Sequence, residues 1–178
     1  MTKNKTIAFL QSLDMQQRIF RLQEPVNNIR QEAITFNYDV NLGLLQVCSI
    51  EPTMVFKDLT ALGGQEFASE YLAFLSLLNG FDINGYRMYG VYAEHNIWDV
   101  RNVLDSFPFP EVYDGYLQIG MTDLDVLLYN KSNHHFEIRD RIGFDYIVGS
   151  YPQLDQFLQV LATSIKKSFE DEDEDDPE

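Results

Sequence analysis

The chain has 178 residues, 45% of them hydrophobic and 13% aromatic, which is one domain's length with enough apolar material for a sizeable core and excludes a disordered chain or a small stapled scaffold. Its 28 Asp and Glu against 13 Lys and Arg leave a formal charge of −15, so direct nucleic-acid binding, which rests on neutralising phosphates, is not expected, and a cationic partner is the natural complement. No run approaches the ~18 apolar residues of a spanning helix, Cys48 has no second cysteine, and residues 1–6 lack the apolar run of a signal peptide. These features lead us to expect a cytoplasmic protein without membrane association.

Residues 6–22 place Ile7, Leu10, Leu13, Ile19 and Leu22 at loosely helical spacing and stop before Pro25, where a helix interior loses a hydrogen bond; a second short helix is expected over 25–34. Asn41-Leu-Gly43 reads as a turn and Leu44–Ile50 as a short strand. From Gln65, the apolar residues Phe67, Tyr71, Phe74, Leu75 and Leu78 recur on one helical face, closed by Asn79-Gly80, residues suited to a left-handed C-terminal conformation. A strand is expected over 85–92 and a helix over 96–107, ended by Pro108 and Pro110. Three strand-like runs follow, 116–121, 126–129 and 135–139, the last two joined by the turn-forming Asn130-Lys-Ser-Asn133. Ser150-Tyr-Pro-Gln153 has capping-box spacing before a closing helix that carries Leu154, Phe157, Leu158, Leu161 and Ile165, with Lys166 and Lys167 suited to the negative end of its dipole. Helices flanking a run of strands without β–α alternation predict an α+β fold with an antiparallel sheet.

The charge is laid out unevenly. Residues 1–30 hold five bases against two acids, residues 31–130 hold fourteen acids against Lys57, Arg87 and Arg101, and residues 170–178 carry eight acids and no base. The tail has nothing to bury and is expected to be disordered, whereas the middle excess must sit on a folded surface.

The stretch Tyr71-Leu-Ala-Phe-Leu-Ser-Leu-Leu-Asn79-Gly80, followed by Asn84-Gly85-Tyr86 and Tyr89-Gly90-Val91, resembles the "helix, Asn-Gly, strand, Tyr-Gly" signature of the SUKH superfamily, and within it the YrhA-like branch. Leu117-Gln-Ile-Gly120, Asp123–Tyr129, Phe136–Arg141 and Ser150–Ile165 are similar to the rest of that pattern, in the same order. The likeness covers residues 66–165. It departs from the family at Phe67-Ala68, where most members carry Leu-Pro, and residues 1–60 align with none of it. The resemblance implies a core over 61–169, an N-terminal helical or irregular extension over 1–60 packed on it, and the acidic tail 170–178. It further implies a non-catalytic immunity protein that neutralises a cognate toxin domain; a cellular scaffold or regulatory interaction domain of the same fold is the alternative.

Candidate chemistry is sparse. His134 and His135 point to opposite faces if extended, so a shared metal ion is not expected, and His95 and Cys48 read as a loop residue and a packing residue. Asp123-Leu-Asp125 places two carboxylates on one face of an extended chain, the arrangement of a divalent-cation pair, but no nucleotide-binding βαβ unit accompanies it, and solvated turn residues or partner contacts are the better expectation. No phosphate loop or nucleophile elbow is present, and no cofactor is expected. The expected partner-binding residues are Asp82, Glu94, Trp98, Asp99, Asp114, Asp123 and Asp125, an acidic surface with one aromatic anchor.

Overall fold

The computed structural model describes residues 12–39, 51–93, 96–102 and 115–174. Helix α1 spans Leu13–Thr35 and starts at Ser12, whose hydroxyl accepts from the Met15 amide at 3.4 Å. It is one helix where two were expected. The apolar stripe Met15, Ile19, Leu22, Val26, Ile29, Ala33 continues in register across Pro25 and is buried along its whole length. An interior proline costs about 3 kcal/mol, whereas each fully buried aliphatic side chain returns about 1.5–3 kcal/mol, so one continuous face outweighs the missing bond. Asn37, at φ 60°, closes the helix with Tyr38 N–H donating to the Ala33 carbonyl at 2.8 Å. The segment outside the SUKH-like stretch therefore supplies part of the core.

Helix α2 spans Pro52–Leu77 and kinks at Gly64, whose φ 85° and ψ 174° are closed to other residues. The helix expected from Gln65 is its second limb, in which every residue from Phe67 to Ser76 is buried, the pattern of a helix surrounded by protein. It ends at Leu78 in an extended conformation, with the Arg30 guanidinium donating to the Leu77 carbonyl. Gly80 is left-handed at φ 74°, but Asn79 is not. The Asn79 side chain instead clamps the main chain of Val91, accepting its N–H at 2.9 Å and donating to its carbonyl at 2.8 Å.

A six-stranded antiparallel meander follows, in order β1 (Phe81–Ile83), β2 (Tyr86–Met88), β3 (Tyr116–Met121), β4 (Asp125–Asn130), β5 (His135–Asp140) and β6 (Ile147–Tyr151), and helix α3 (Leu154–Glu174) closes the chain. The α+β class with helices beside an antiparallel sheet is as expected. Leu117, Ile119, Leu127, Tyr129, Phe136 and Ile138 join a core shared with all three helices.

Several local expectations are corrected. The strand over 85–92 shrinks to β2. Residues 96–102 form turns rather than a helix, because the side chains of Asn96 and Asp99 accept from nearby main-chain amides, Trp98 and Arg101, and so compete with helical bonding. Ser150 lies in β6 and meets His135 Nδ1 at 2.9 Å, so the capping box does not form. α3 runs on to Glu174, which places Lys166 and Lys167 away from its last turn and makes residues 170–174 of the tail helical. The expected strand at 44–50 and residues 103–107 of the expected helix lie outside the described residues.

Candidate protein-docking surface

In an up-and-down meander, alternate connections share one end of the sheet. Here the β1–β2, β3–β4 and β5–β6 connections do so. The first is the two-residue turn Asn84-Gly85, both at positive φ (44° and 78°), with Ile83 opposite Tyr86; this is the turn that matches the twist of a hairpin. In the second, the Thr122 hydroxyl accepts from the amides of Leu124 (3.2 Å) and Asp125 (2.8 Å) and lies 3.4 Å from Asp125 Oδ2. In the third, Asp140 Oδ1 accepts from the amides of Ile142 (2.8 Å) and Gly143. The loops are braced against one another: Arg141 N–H donates to the Leu124 carbonyl at 2.9 Å, and a Cβ built on Gly85 would stand 2.7 Å from Asp123 Oδ2.

This rim combines two kinds of side chain. Leu124, Ile142 and Tyr146 are 76%, 98% and 68% exposed. Asp123, Asp125, Asp140 and Asp145 stand among them, with Arg141 as the base of the second and third loops. None of these four aspartates forms an ion pair among the described residues. Burial pushes the Asp125 carboxyl above the usual aspartate range, and neighbouring Asp140 adds to the shift against the hydroxyl of Thr122. Apolar side chains held in water on rigid turns and ringed by uncompensated charge suit protein recognition: the apolar groups supply anchors and the charges supply steering.

The other expected contact residues fare differently. Asp82 is exposed but paired with Arg87, whose Nε donates to it at 2.9 Å. Arg87 lies 3.9 Å above the ring of Trp98, which stacks on Tyr89, so Trp98 is half-buried beneath a cation rather than presented to solvent. Asp99 is wholly buried (0% exposed) and cannot meet a partner. Its carboxylate accepts from the Tyr92 and Arg101 amides, both at 2.9 Å, and from the Arg101 guanidinium at 2.7 and 2.9 Å. Glu94 and Asp114 lie outside the described residues. The rim residues that sequence reasoning missed, Leu124, Ile142 and Tyr146, carried one signal: isolated apolar positions inside acid- and glycine-bearing turns.

The residues of the SUKH-like pattern form the seam between α2 and the sheet. Burial keeps the Tyr71 phenol protonated, and its hydroxyl donates to the Tyr89 carbonyl at 2.6 Å, with the Ile119 carbonyl at 3.3 Å. Gly80 and Gly90 face one another: a Cβ on Gly80 would stand 2.7 Å from the Gly90 nitrogen, and one on Gly90 2.6 Å from the Asn79 carbonyl oxygen. Both motif glycines thus mark a close approach of two main chains. The adjacent His134 and His135 have separate partners, His134 Nδ1 with the Tyr129 hydroxyl and His135 Nδ1 with Ser150, both at 2.9 Å.

No family model, curated protein or solved structure matches this chain. No described helix is long and apolar enough to cross a membrane.

Proposed function

We propose that this chain is a SUKH-type immunity protein of the YrhA-like branch, which acts in the cytoplasm by binding and neutralising a cognate cationic toxin domain, without catalysis of its own. The observation that carries this reading is the rim of braced turns on which exposed Leu124, Ile142 and Tyr146 stand among four aspartates that form no ion pair among the described residues. The ordered motif likeness over residues 66–165 supports it. On this reading Asp123 and Asp125, with Asp140 and Asp145, speed encounter with a basic surface, and the three apolar side chains set how long the complex lasts.

Stopped-flow association with the cationic toxin domain that the proposal calls for, sought in the genes neighbouring this one, tests it. At low salt the rate constant is expected near the electrostatically assisted range, about 10⁸ M⁻¹s⁻¹, and to fall toward about 10⁶ M⁻¹s⁻¹ as salt is raised. A rate indifferent to salt, or unchanged by Asp123→Lys with Asp125→Lys, overturns the acidic-surface reading.

A further inference from the structure

We infer that β6 is the edge on which the partner docks, adding an extended, basic segment of its own as a seventh strand. The inference rests on the proposed reading and names the mode of contact. Among the described residues the sheet has two edges, β1 and β6. β1 is three residues long and carries Asp82 tied to Arg87, a short charged edge of the kind that resists strand addition. β6 is five residues long and uncharged, with a bulge at Val148 as its protection. Ile147-Val-Gly-Ser-Tyr151 contains no charge and no proline, Ile147 and Val148 are 46% and 52% exposed, and among the described residues its main chain pairs with β5 alone.

The free edge continues directly from the rim. Ile142, Asp145 and Tyr146 lie in the loop between Asp140, the last residue of β5, and Ile147, the first of β6, so a chain laid along β6 meets the rim at the start of that strand. Complementarity to those carboxylates calls for Lys or Arg on the incoming strand. A second copy of this chain is disfavoured as occupant, since each copy carries −15. The register shift makes Val148 the extra residue between Ile147, opposite Arg139, and Gly149, opposite Ile138, so the regular edge is Gly149–Tyr151. Main-chain bonds there hold only a short strand, and the rim supplies the remaining affinity.

Strand addition works through main-chain bonds and tolerates many sequences, so a synthetic blocked peptide of about eight residues alternating Val and Lys is a fair probe. Added to the isotope-labelled full chain, it is expected to slow amide exchange within residues 147–151 and leave β1 unchanged. A copy methylated at every central amide nitrogen is expected to bind at least about tenfold more weakly, and a Glu-for-Lys copy likewise. Equal binding by the methylated copy, binding that spares 147–151, no binding at millimolar peptide, or edge protection that grows with protein concentration alone overturns the inference. If the toxin domain binds while the peptide spares β6, strand addition fails and the acidic-rim reading stands; if the peptide adds to β6 and the toxin domain does not bind, the reverse holds.

Discussion

Glu137 is 1% exposed on β5 and faces away from the helices, yet every oxygen is answered: Oε1 accepts from Asn130 at 3.0 Å and Asn133 at 3.2 Å, and Oε2 from Arg139 Nε at 2.8 Å. Arg139 in turn reaches the Phe144 carbonyl and the Tyr116 hydroxyl, both at 3.0 Å. Burial alone would push the Glu137 carboxyl up, but the hydrogen bonds from Arg139, Asn130 and Asn133 outweigh it and hold the group below the usual range. A carboxyl depressed on folding stabilises above its unfolded value, about 4.3, and that contribution disappears as the pH falls through the folded value. Denaturant unfolding is therefore expected to show stability declining in acid, and Glu137→Gln to cost about 3 kcal/mol at neutral pH and make the decline shallower. Asp125 has the opposite sign. Its raised carboxyl opposes folding when ionised, so Asp125→Asn is expected to leave stability at neutral pH equal or slightly higher while weakening association with a cationic partner. In the wild type the proposed association is expected to weaken as the pH falls into the range where Asp125 takes up its proton, and the variant is expected to lose this step. Asp99 and Asp125 show what charge alone conceals: an aspartate count marks both equally as surface, and what separates them is that the Arg101 guanidinium and the Tyr92 and Arg101 amides close onto Asp99.

At the scale of elements, the central strands were readable because β3, β4 and β5 are six residues each and rich in buried apolar positions. β1 has three residues, too few for any periodicity, and β6 alternates exposed and half-buried positions without a hydrophobic signal. The kink in α2 was invisible because a glycine's conformation is not written in its neighbours. Gly64→Ala isolates that conformation: nothing lies within 4 Å of the added methyl, so a loss of about 1–3 kcal/mol in unfolding free energy is expected from backbone strain alone. Tyr71→Phe isolates the seam between α2 and the sheet, leaving the Tyr89 carbonyl without its donor, and is expected to cost about 1–2 kcal/mol. The rim was half legible. Asp123 and Asp125 announce themselves by charge, whereas an apolar residue such as Leu124 or Ile142 is indistinguishable from core until the turn that exposes it is in place.

For the molecule as a whole, the fold reduces the charge available for recognition. Arg18 and Arg21 converge on Glu70, with Glu66, Asp14 and Asp155 around them, Arg87 takes Asp82, and Arg101 takes Asp99 and Asp58. Five of the fourteen acids between residues 31 and 130, Asp58, Glu66, Glu70, Asp82 and Asp99, are thus engaged in holding α1 to α2 or in closing loops, whereas Asp123 and Asp125 join Asp140 and Asp145 at the rim with no ion pair among the described residues. The most direct test of the proposed neutralisation is growth of cells that co-express this protein with the cognate toxin domain that the proposal calls for. Wild type is expected to restore growth and co-purify with the toxin, and the Asp123→Lys, Asp125→Lys double variant, folded as judged by its melting temperature, to lose both. Cells that die despite abundant wild-type protein, with no complex recovered, overturn the proposed function.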